Sequence, residues 1–119
     1  MVEVFTALAI ICFTAQQGGK QECHNALIGG DTPRGTFEIQ QRLVLDPLYG
    51  GDILQFREDH EEVFAIHRVW LGRPWEKRDQ RLKSKDVRQR KMTKGCINVA
   101  PEVYVKLVDC CSTATLLIR

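Results

Sequence analysis

Residues 91–99 read Lys-Met-Thr-Lys-Gly-Cys-Ile-Asn-Val, and this stretch places a cysteine directly after a glycine. Glycine lets the backbone turn and approach other groups closely, because it has no Cβ. Upstream, the apolar run Val63–Ile66 predicts a strand that ends at His67. A thiol nucleophile needs a nearby base, and an imidazole is a common one. We therefore predict that Cys96 is a nucleophile and that His67 is its base.

The neighbours of Cys96 have predicted roles in the same loop. The amides of Gly95 and Cys96 are candidates to bind an oxyanion, and Thr93 is expected to hydrogen-bond across the loop. Asn98 follows the nucleophile by two residues, so on an extended segment it shares a face with Cys96. Asn98 either orients the loop, contacts polar groups of a substrate or caps the helix that follows. The alternative for Cys96 is a buried small hydrophobe, as most free cysteines are, and for Thr93 an ordinary strand residue.

The first part of the chain predicts β structure. Residues 4–13 are largely apolar and predict a buried first strand, followed by a hairpin turn at 16–20 and a returning strand at 22–28. Thr32–Gly35 has Pro at its second position and Gly at its fourth, which is typical of a type I turn. Residues 36–40 then alternate apolar and polar side chains and predict a half-buried strand.

The second part predicts further strands and one helix. Strands are expected at 53–56, 63–66 and 114–118, while 43–48 is ambiguous and 49–52 is predicted to be a loop. A short helix is expected from Pro101, because proline is favoured in a first helical turn and the following acid suits the positive end of the helix dipole. One face of this helix is expected to carry its apolar residues, which are Val103, Tyr104, Leu107 and Val108.

Residues 72–91 are almost devoid of apolar side chains and interrupt the β pattern. Loops of this length are uncommon and are usually functional or mobile. The segment begins shortly after His67 and ends just before Cys96, so we predict that it covers the site as a lid. Arg78 and Arg81 are its expected anchors for a substrate carboxylate, because a guanidinium can grip a carboxylate with two hydrogen bonds. The alternative is a solvated loop whose arginines pair with the acidic residues of 58–62.

Length, composition and charge limit the classes of protein to which this chain can belong. A chain of 119 residues fits one domain, which we place at 1–119, and 44% hydrophobic residues suffice for a core. A formal net charge of +2 is too small to argue for nucleic acid. The apolar stretch near the N-terminus is too short to span a bilayer, and its only preceding charge is the acidic Glu3. It is therefore not predicted to be a signal peptide, and export is left open.

Five cysteines are an odd number, so at least one thiol cannot pair within the chain. Cys12, Cys23, Cys110 and Cys111 lack the spacing of a zinc site, and a chain of this size does not need disulfides. Cys110 and Cys111 are expected to be two core or edge thiols. A vicinal disulfide between Cys110 and Cys111 is the alternative. No metal site and no cofactor are predicted.

Three separated motifs resemble the L,D-transpeptidase (YkuD-type) catalytic domain. Thr32–Phe37 is similar to that family's Thr-Pro-x-Gly-x-Phe turn, Ala65–His67 to its catalytic-histidine strand and Gly95–Val99 to its nucleophile loop. Residues 66–72, together with the arginines at 78 and 81, further resemble a bacterial branch with a long arginine-rich insertion before the nucleophile loop.

The chain also departs from the family pattern. Lys94 stands where a histidine is usual, and Arg68 stands where a small residue is usual. Many members carry Arg where this chain has Asn98, although an Asn-bearing branch exists. These departures affect the expected identity of the acceptor and the substrate more than the expected chemistry of the thiol and imidazole.

The resemblance implies a mainly β, small sandwich or barrel-like fold with one short helix near the C-terminus. It implies a cysteine acyltransferase of the periplasm or cell envelope that acts on peptidoglycan stem peptides, without nucleic acid or stable membrane insertion. Cys96 would attack the carbonyl of an L-residue, release the terminal D-residue and form a thioester that an amine resolves. Arg68, Arg78 and Arg81 are assigned to substrate binding.

Two alternatives stay open on the same motifs. One is a hydrolase, an L,D-carboxypeptidase or amidase, in which water resolves the thioester. The other is a catalytically inactive domain that binds cell-wall peptide without turnover.

Overall fold

The structure is a computed structural model, and it describes residues 1–16, 18–45 and 51–119. The fold is mainly β, with 41% strand and 21% helix, as predicted. The strands and α-helices of the described residues are, in chain order, β1 (Val2–Phe5), β2 (Ile10–Thr14), β3 (Gln21–Asn25), β4 (Ile28–Gly29), β5 (Gly35–Glu38), β6 (Gln40–Arg42), β7 (Ile53–Glu58), β8 (Val63–Arg68), α1 (Arg78–Lys83), β9 (Lys91–Thr93), β10 (Ile97–Val99), α2 (Pro101–Cys111) and β11 (Thr115–Ile118). Short 3-10 turns lie at Pro74–Glu76 and Val87–Arg90.

The first sheet has the strand order β3-β2-β1-β11-β5. Its central strand, β1, runs antiparallel to β2 and parallel to β11, which comes from the far end of the sequence. Strands β2 and β3 form the predicted hairpin, and β5 closes the other edge antiparallel to β11.

The second sheet has the order β10-β8-β7-β6 and carries the candidate site. Strands β6, β7 and β8 are antiparallel, whereas β10 lies parallel to β8. A small third sheet pairs β4 with β9 in parallel, just before the loop that contains Cys96.

The two large sheets and α2 share one hydrophobic core, so the fold is a small β-sandwich. Apolar side chains from both sheets and from α2 are buried in it, including Val4, Ile11, Leu54, Ile66, Val99 and Leu107. The strands that alternate apolar and polar residues supply the inward-facing set, which explains why the sequence pattern predicted the class.

Helix α2 begins as predicted, with Pro101 in its first turn after Ala100. Its buried side chains are Val103, Tyr104, Leu107 and Cys111, while Val108 is partly buried against the same core. Ala100 is the residue at its N-cap, and no side chain caps the helix. Asn98 therefore does not cap it, and that alternative is wrong.

Two local predictions in the first part are wrong. The single strand at 4–13 is divided into β1 and β2 by a turn, in which Ala9 adopts a positive φ of 49° and remains buried. The turn at Thr32–Gly35 lies earlier, because the amide of Thr32 donates to the carbonyl of Gly29, and Gly35 already begins β5. The ambiguous stretch 43–48 and the loop 49–52 fall largely outside the described residues.

The four remaining cysteines are paired, so the expectation that Cys110 and Cys111 are core or edge thiols is wrong. Cys12 and Cys23 lie directly opposite each other on β2 and β3 and form a disulfide. Cys110 and Cys111 form the vicinal disulfide that was the alternative. Cys96 is the free cysteine.

The basic segment, residues 73–91, is more ordered than a solvated loop. Leu82 of α1 is buried in a second apolar cluster with Leu27 and Val69. Asn25 donates to the carbonyl of Leu82 over 3.0 Å. The buried guanidinium of Arg90 donates to backbone carbonyls of the β1–β2 turn and of the segment itself, at residues 8, 9 and 84. These contacts fix the segment against the sheets.

Candidate active site

A cavity of about 570 Å³ contains both residues predicted to carry the chemistry. Cys96 and His67 line it together, which places them on the same side of the second sheet. Its other lining residues are Glu61, Glu62, Val63, Phe64, Trp70, Arg73, Glu76, Arg78, Met92, Thr93, Lys94, Gly95 and Asn98.

The pairing of β10 with β8 explains why these side chains meet. The register sets Ile97 opposite Ile66 and Asn98 opposite His67. Because side chains alternate along extended backbone, Cys96 and Asn98 face the cavity while Ile97 is fully buried in the core.

Three neighbours hold the backbone around the thiol. The Thr93 hydroxyl donates to the carbonyl of Cys96 over 2.7 Å, which confirms the predicted hydrogen bond across the loop. The Thr32 hydroxyl donates to the carbonyl of Gly95 over 3.0 Å. Gly95 packs so closely on Phe64 that a Cβ would lie 2.5 Å from a ring carbon. Glycine is therefore required there for close approach.

The Cys96 thiol is held in its protonated form. Its Sγ donates to the carbonyl of Val63 over 3.5 Å. Burial raises the pKa of this thiol and the negative charge of Glu62 adds to the effect, against opposing contributions from a backbone hydrogen bond with Ala65 and the charge of Arg78.

His67 is buried and neutral. The pKa of His67 is lowered to about 4: burial is the main cause and the positive charge of Arg78 adds to it, whereas the hydrogen bond to the carbonyl of Arg68 opposes both. Nδ1 lies 2.7 Å from the Arg68 carbonyl oxygen, and Nε2 lies 3.3 Å from Nδ2 of Asn98. At neutral pH the site thus holds a thiol and a neutral imidazole, and not a preformed thiolate–imidazolium pair.

Cationic side chains line the same cavity. The guanidinium carbons of Arg73 and Arg78 lie 5.5 Å and 5.9 Å from the centre of the Trp70 ring. Arg78 also bonds Glu76 over 3.1 Å and the Asn98 side-chain oxygen over 2.8 Å. The basic segment therefore contributes a wall of the cavity, with positive charge facing the thiol and imidazole.

Two predicted substrate-binding side chains lie elsewhere. Arg68 directs its guanidinium to Asp52, 3.1 Å away, and over the ring of Tyr104, so it ties β8 to α2. Arg81 donates to the carbonyl of Gln89 over 2.6 Å within the basic segment. Neither lines the cavity, because each is directed to a partner outside it. Their positions give no support to substrate binding by these side chains.

Local sequence patterns did not indicate that Trp70, Arg73 or the hydroxyl of Thr32 belongs to the site. Trp70 and Arg73 follow β8 directly, and their closeness to His67 was the available signal. Thr32 belongs to one of the family-like motifs, but its contact with Gly95 depends on long-range packing. Among the described residues, no group of three His, Cys, Asp or Glu side chains is arranged to hold a metal. No helix of the described chain is long and apolar enough to cross a membrane.

Comparison with known proteins supports the fold. No protein-family model matches the sequence, and no curated protein matches it. Among solved structures, Bd1075 of Bdellovibrio bacteriovorus is similar with a TM-score of 0.62 and 17% identity, over 100% of this chain and 47% of that one.

Two mycobacterial structures are also similar. The L,D-transpeptidase of Mycobacterium smegmatis gives a TM-score of 0.58 at 17% identity, over 99% of this chain and 57% of that one. L,D-transpeptidase 1 of Mycobacterium tuberculosis gives 0.60 at 14% identity, over 99% of this chain and 60% of that one. The chain thus spans about half the length of the structures it resembles. It has an L,D-transpeptidase-type fold.

Proposed function

We propose that this chain, acting as one domain over residues 1–119, is a cysteine acyltransferase that modifies peptidoglycan stem peptides. The observation that carries the proposal is the shared cavity, in which the free thiol of Cys96 and the neutral imidazole of His67 face two guanidiniums. The neighbours named L,D-transpeptidase support the same chemistry through their fold.

The proposed reaction begins with attack of the Cys96 sulfur on the carbonyl carbon of an L-residue. The thiol proton passes to Nε2 of His67, and the amides of Gly95 and Cys96 are the proposed donors to the oxyanion. Collapse of the intermediate breaks the C–N bond, and the leaving amine of the D-residue takes the proton from the imidazolium. An acceptor amine then attacks the thioester, loses its proton to His67 and releases the thiol.

Substrate is proposed to bind through its carboxylates. Arg73 and Arg78 present guanidiniums to the cavity, and stem peptides end in carboxylate groups. Arg73 is about half exposed, so it is accessible to a ligand that enters from solvent.

The cell envelope is the proposed location. Disulfides persist in oxidising compartments, and the Cys12–Cys23 pair supports such a compartment. The fold of the similar structures supports the same location.

The decisive measurement is intact mass after incubation with a stem tetrapeptide. The expected product is an adduct on Cys96 that adds the mass of the tetrapeptide minus the mass of the free D-amino acid that is released, with no adduct on the Cys96→Ser variant. Cys96→Ser keeps the side-chain volume close to that of the thiol but supplies a far weaker nucleophile. Turnover by Cys96→Ser, or an adduct on another residue, would contradict the proposal.

A D-amino acid added to the same reaction distinguishes amine from water as the acceptor. Incorporation of the D-amino acid into the peptide identifies a transpeptidase. A tripeptide product alone identifies a hydrolase that uses the same thioester.

The raised pKa of Cys96 favours a second candidate, a domain that binds cell-wall peptide without turnover. Slow alkylation of the resting thiol does not separate the two candidates, because both predict it. Saturable binding of the tetrapeptide by calorimetry, with no mass adduct and no product, would identify the binding domain.

A further inference from the structure

A continuous series of polar contacts connects the basic segment to the imidazole. Nη1 of Arg78 lies 2.8 Å from Oδ1 of Asn98, and Nδ2 of Asn98 lies 3.3 Å from Nε2 of His67. Nδ1 of His67 lies 2.7 Å from the carbonyl oxygen of Arg68. Asn98 is completely buried, so its amide cannot exchange these partners for bulk water.

The first contact determines the orientation of the Asn98 amide. A guanidinium has donors and no acceptor, so the amide atom facing Arg78 must be the oxygen. The amide nitrogen then faces His67 and presents N–H donors to Nε2. With the opposite orientation, donors would face donors at Arg78 inside a buried site, which is costly.

Two polar contacts of His67 agree on the position of its hydrogen. A backbone carbonyl only accepts, so Nδ1 must carry the hydrogen that it donates to Arg68. The Asn98 amide nitrogen only donates, so Nε2 must be the acceptor. Together the two contacts require the neutral form, with a hydrogen on Nδ1 and none on Nε2.

We propose that Arg78 is a positioning residue that acts on His67 through Asn98. By fixing the amide of Asn98, Arg78 keeps an N–H donor directed at Nε2 and so keeps this nitrogen unprotonated, while the carbonyl of Arg68 holds the hydrogen on Nδ1. This inference rests on the proposed function, because a base is needed only if Cys96 is a nucleophile. It assigns Arg78 a role that a carboxylate-binding anchor would not have.

The arrangement also disfavours a long-lived imidazolium. A proton on Nε2 would face the amide donors of Asn98 and, behind them, the positive charge of Arg78. The other charged groups that line this cavity are Glu61, Glu62, Arg73, Glu76 and Lys94. A proton taken from Cys96 is therefore readily passed on to the leaving amine.

The test is ¹⁵N NMR of the histidine ring nitrogens, followed as a function of pH. The chain has only three histidines, so His67 can be assigned by comparison with a His67→Gln spectrum. The wild type should show hydrogen on Nδ1 and an unprotonated Nε2 across the neutral range.

Three variants separate positioning from a general effect of charge. Arg78→Gln removes the obligate donor, so the Asn98 amide can turn its oxygen toward Nε2; His67 should then titrate at higher pH while keeping its hydrogen on Nδ1. Asn98→Asp replaces the donor by an acceptor for a proton on Nε2, and the midpoint of the His67 titration should rise by about one pH unit or more. Arg73→Gln is the matched control, because it removes a guanidinium from the same Trp70 ring without touching Asn98; its His67 titration should be close to that of the wild type.

A wild-type His67 with hydrogen on Nε2 would overturn the proposal. So would an Arg78→Gln protein whose His67 titration matches that of Arg73→Gln. If Arg78→Gln does not fold, the wild-type tautomer and the Asn98→Asp midpoint decide the question. The readout does not require turnover, so absence of the thioester would remove the proposed function while leaving these spectra interpretable.

Discussion

The buried neutral His67 should make folding sensitive to mild acid. The pKa of His67 is about 4 in the folded chain, against an ordinary value of 6.5. The unfolded chain therefore takes up the proton first as the pH falls. The contribution to stability is fully present above about pH 6.5, decreases as the pH falls, and is lost as the pH falls through about 4. A pKa difference of about 2.5 corresponds to about 3.5 kcal/mol of unfolding free energy, at about 1.4 kcal/mol for each pKa unit, and about 3 kcal/mol of it is lost by pH 4.

The assay is denaturant unfolding at pH values between 7.5 and 4 under non-reducing conditions. We expect wild type to lose about 3 kcal/mol more than His67→Gln over this interval, because glutamine has no proton to take up. His60→Gln is the matched control, since His60 is exposed in the loop before β8 and its removal should leave the wild-type dependence. If His67→Gln loses stability with pH as steeply as wild type, then His67 is not buried as a neutral base and the electrostatic account of the site is wrong.

Gly29→Ala should strongly lower the melting temperature, because a Cβ there would lie 1.8 Å from the backbone oxygen of Thr93. Gly30→Ala, with nothing within 4 Å of its Cβ, should melt close to wild type; equal melting temperatures would show that β4 and β9 are not in contact. Leu82→Ala should lower the free energy of unfolding by about 2–4 kcal/mol, because the Leu82 side chain of α1 is buried. The neighbouring exposed Lys83→Ala should cost less than about 0.5 kcal/mol, and similar costs for the two would mean that α1 is not packed on the sheets.

Local patterns predicted the β class, the helix at Pro101 and the hydrogen bond from Thr93. Apolar alternation and a proline-led helix start are properties of neighbouring residues, so a single sequence carries them. The pairing of Cys96 with His67 in one cavity was also predicted, because a strand ending in histidine and a Gly-Cys loop are separately recognisable.

The contacts that determine the chemistry of the site could not be predicted in this way. The register that sets Asn98 opposite His67 depends on how two strands distant in sequence align. Burial of Arg90 required carbonyl acceptors from the β1–β2 turn, which no local pattern indicates. The Cys12–Cys23 disulfide forms because the register of the β2–β3 hairpin sets these residues opposite each other. The sequence of the turn does not determine that register.

The position of β1 between β2 and β11 has a consequence for how the chain is made. Val2 pairs with Leu116 and Val4 with Ile118, so the central strand of the first sheet needs a partner strand that is synthesised much later. Until then the β1–β2 hairpin presents an open apolar edge, which is a template for wrong pairing. Contacts between residues so distant in sequence also form slowly, because the entropy of closing the long loop is lost before the contacts stabilise the chain. We expect this sheet to be completed only after translation of β11, during an interval in which the nascent chain depends on chaperones or on dilution to avoid aggregation.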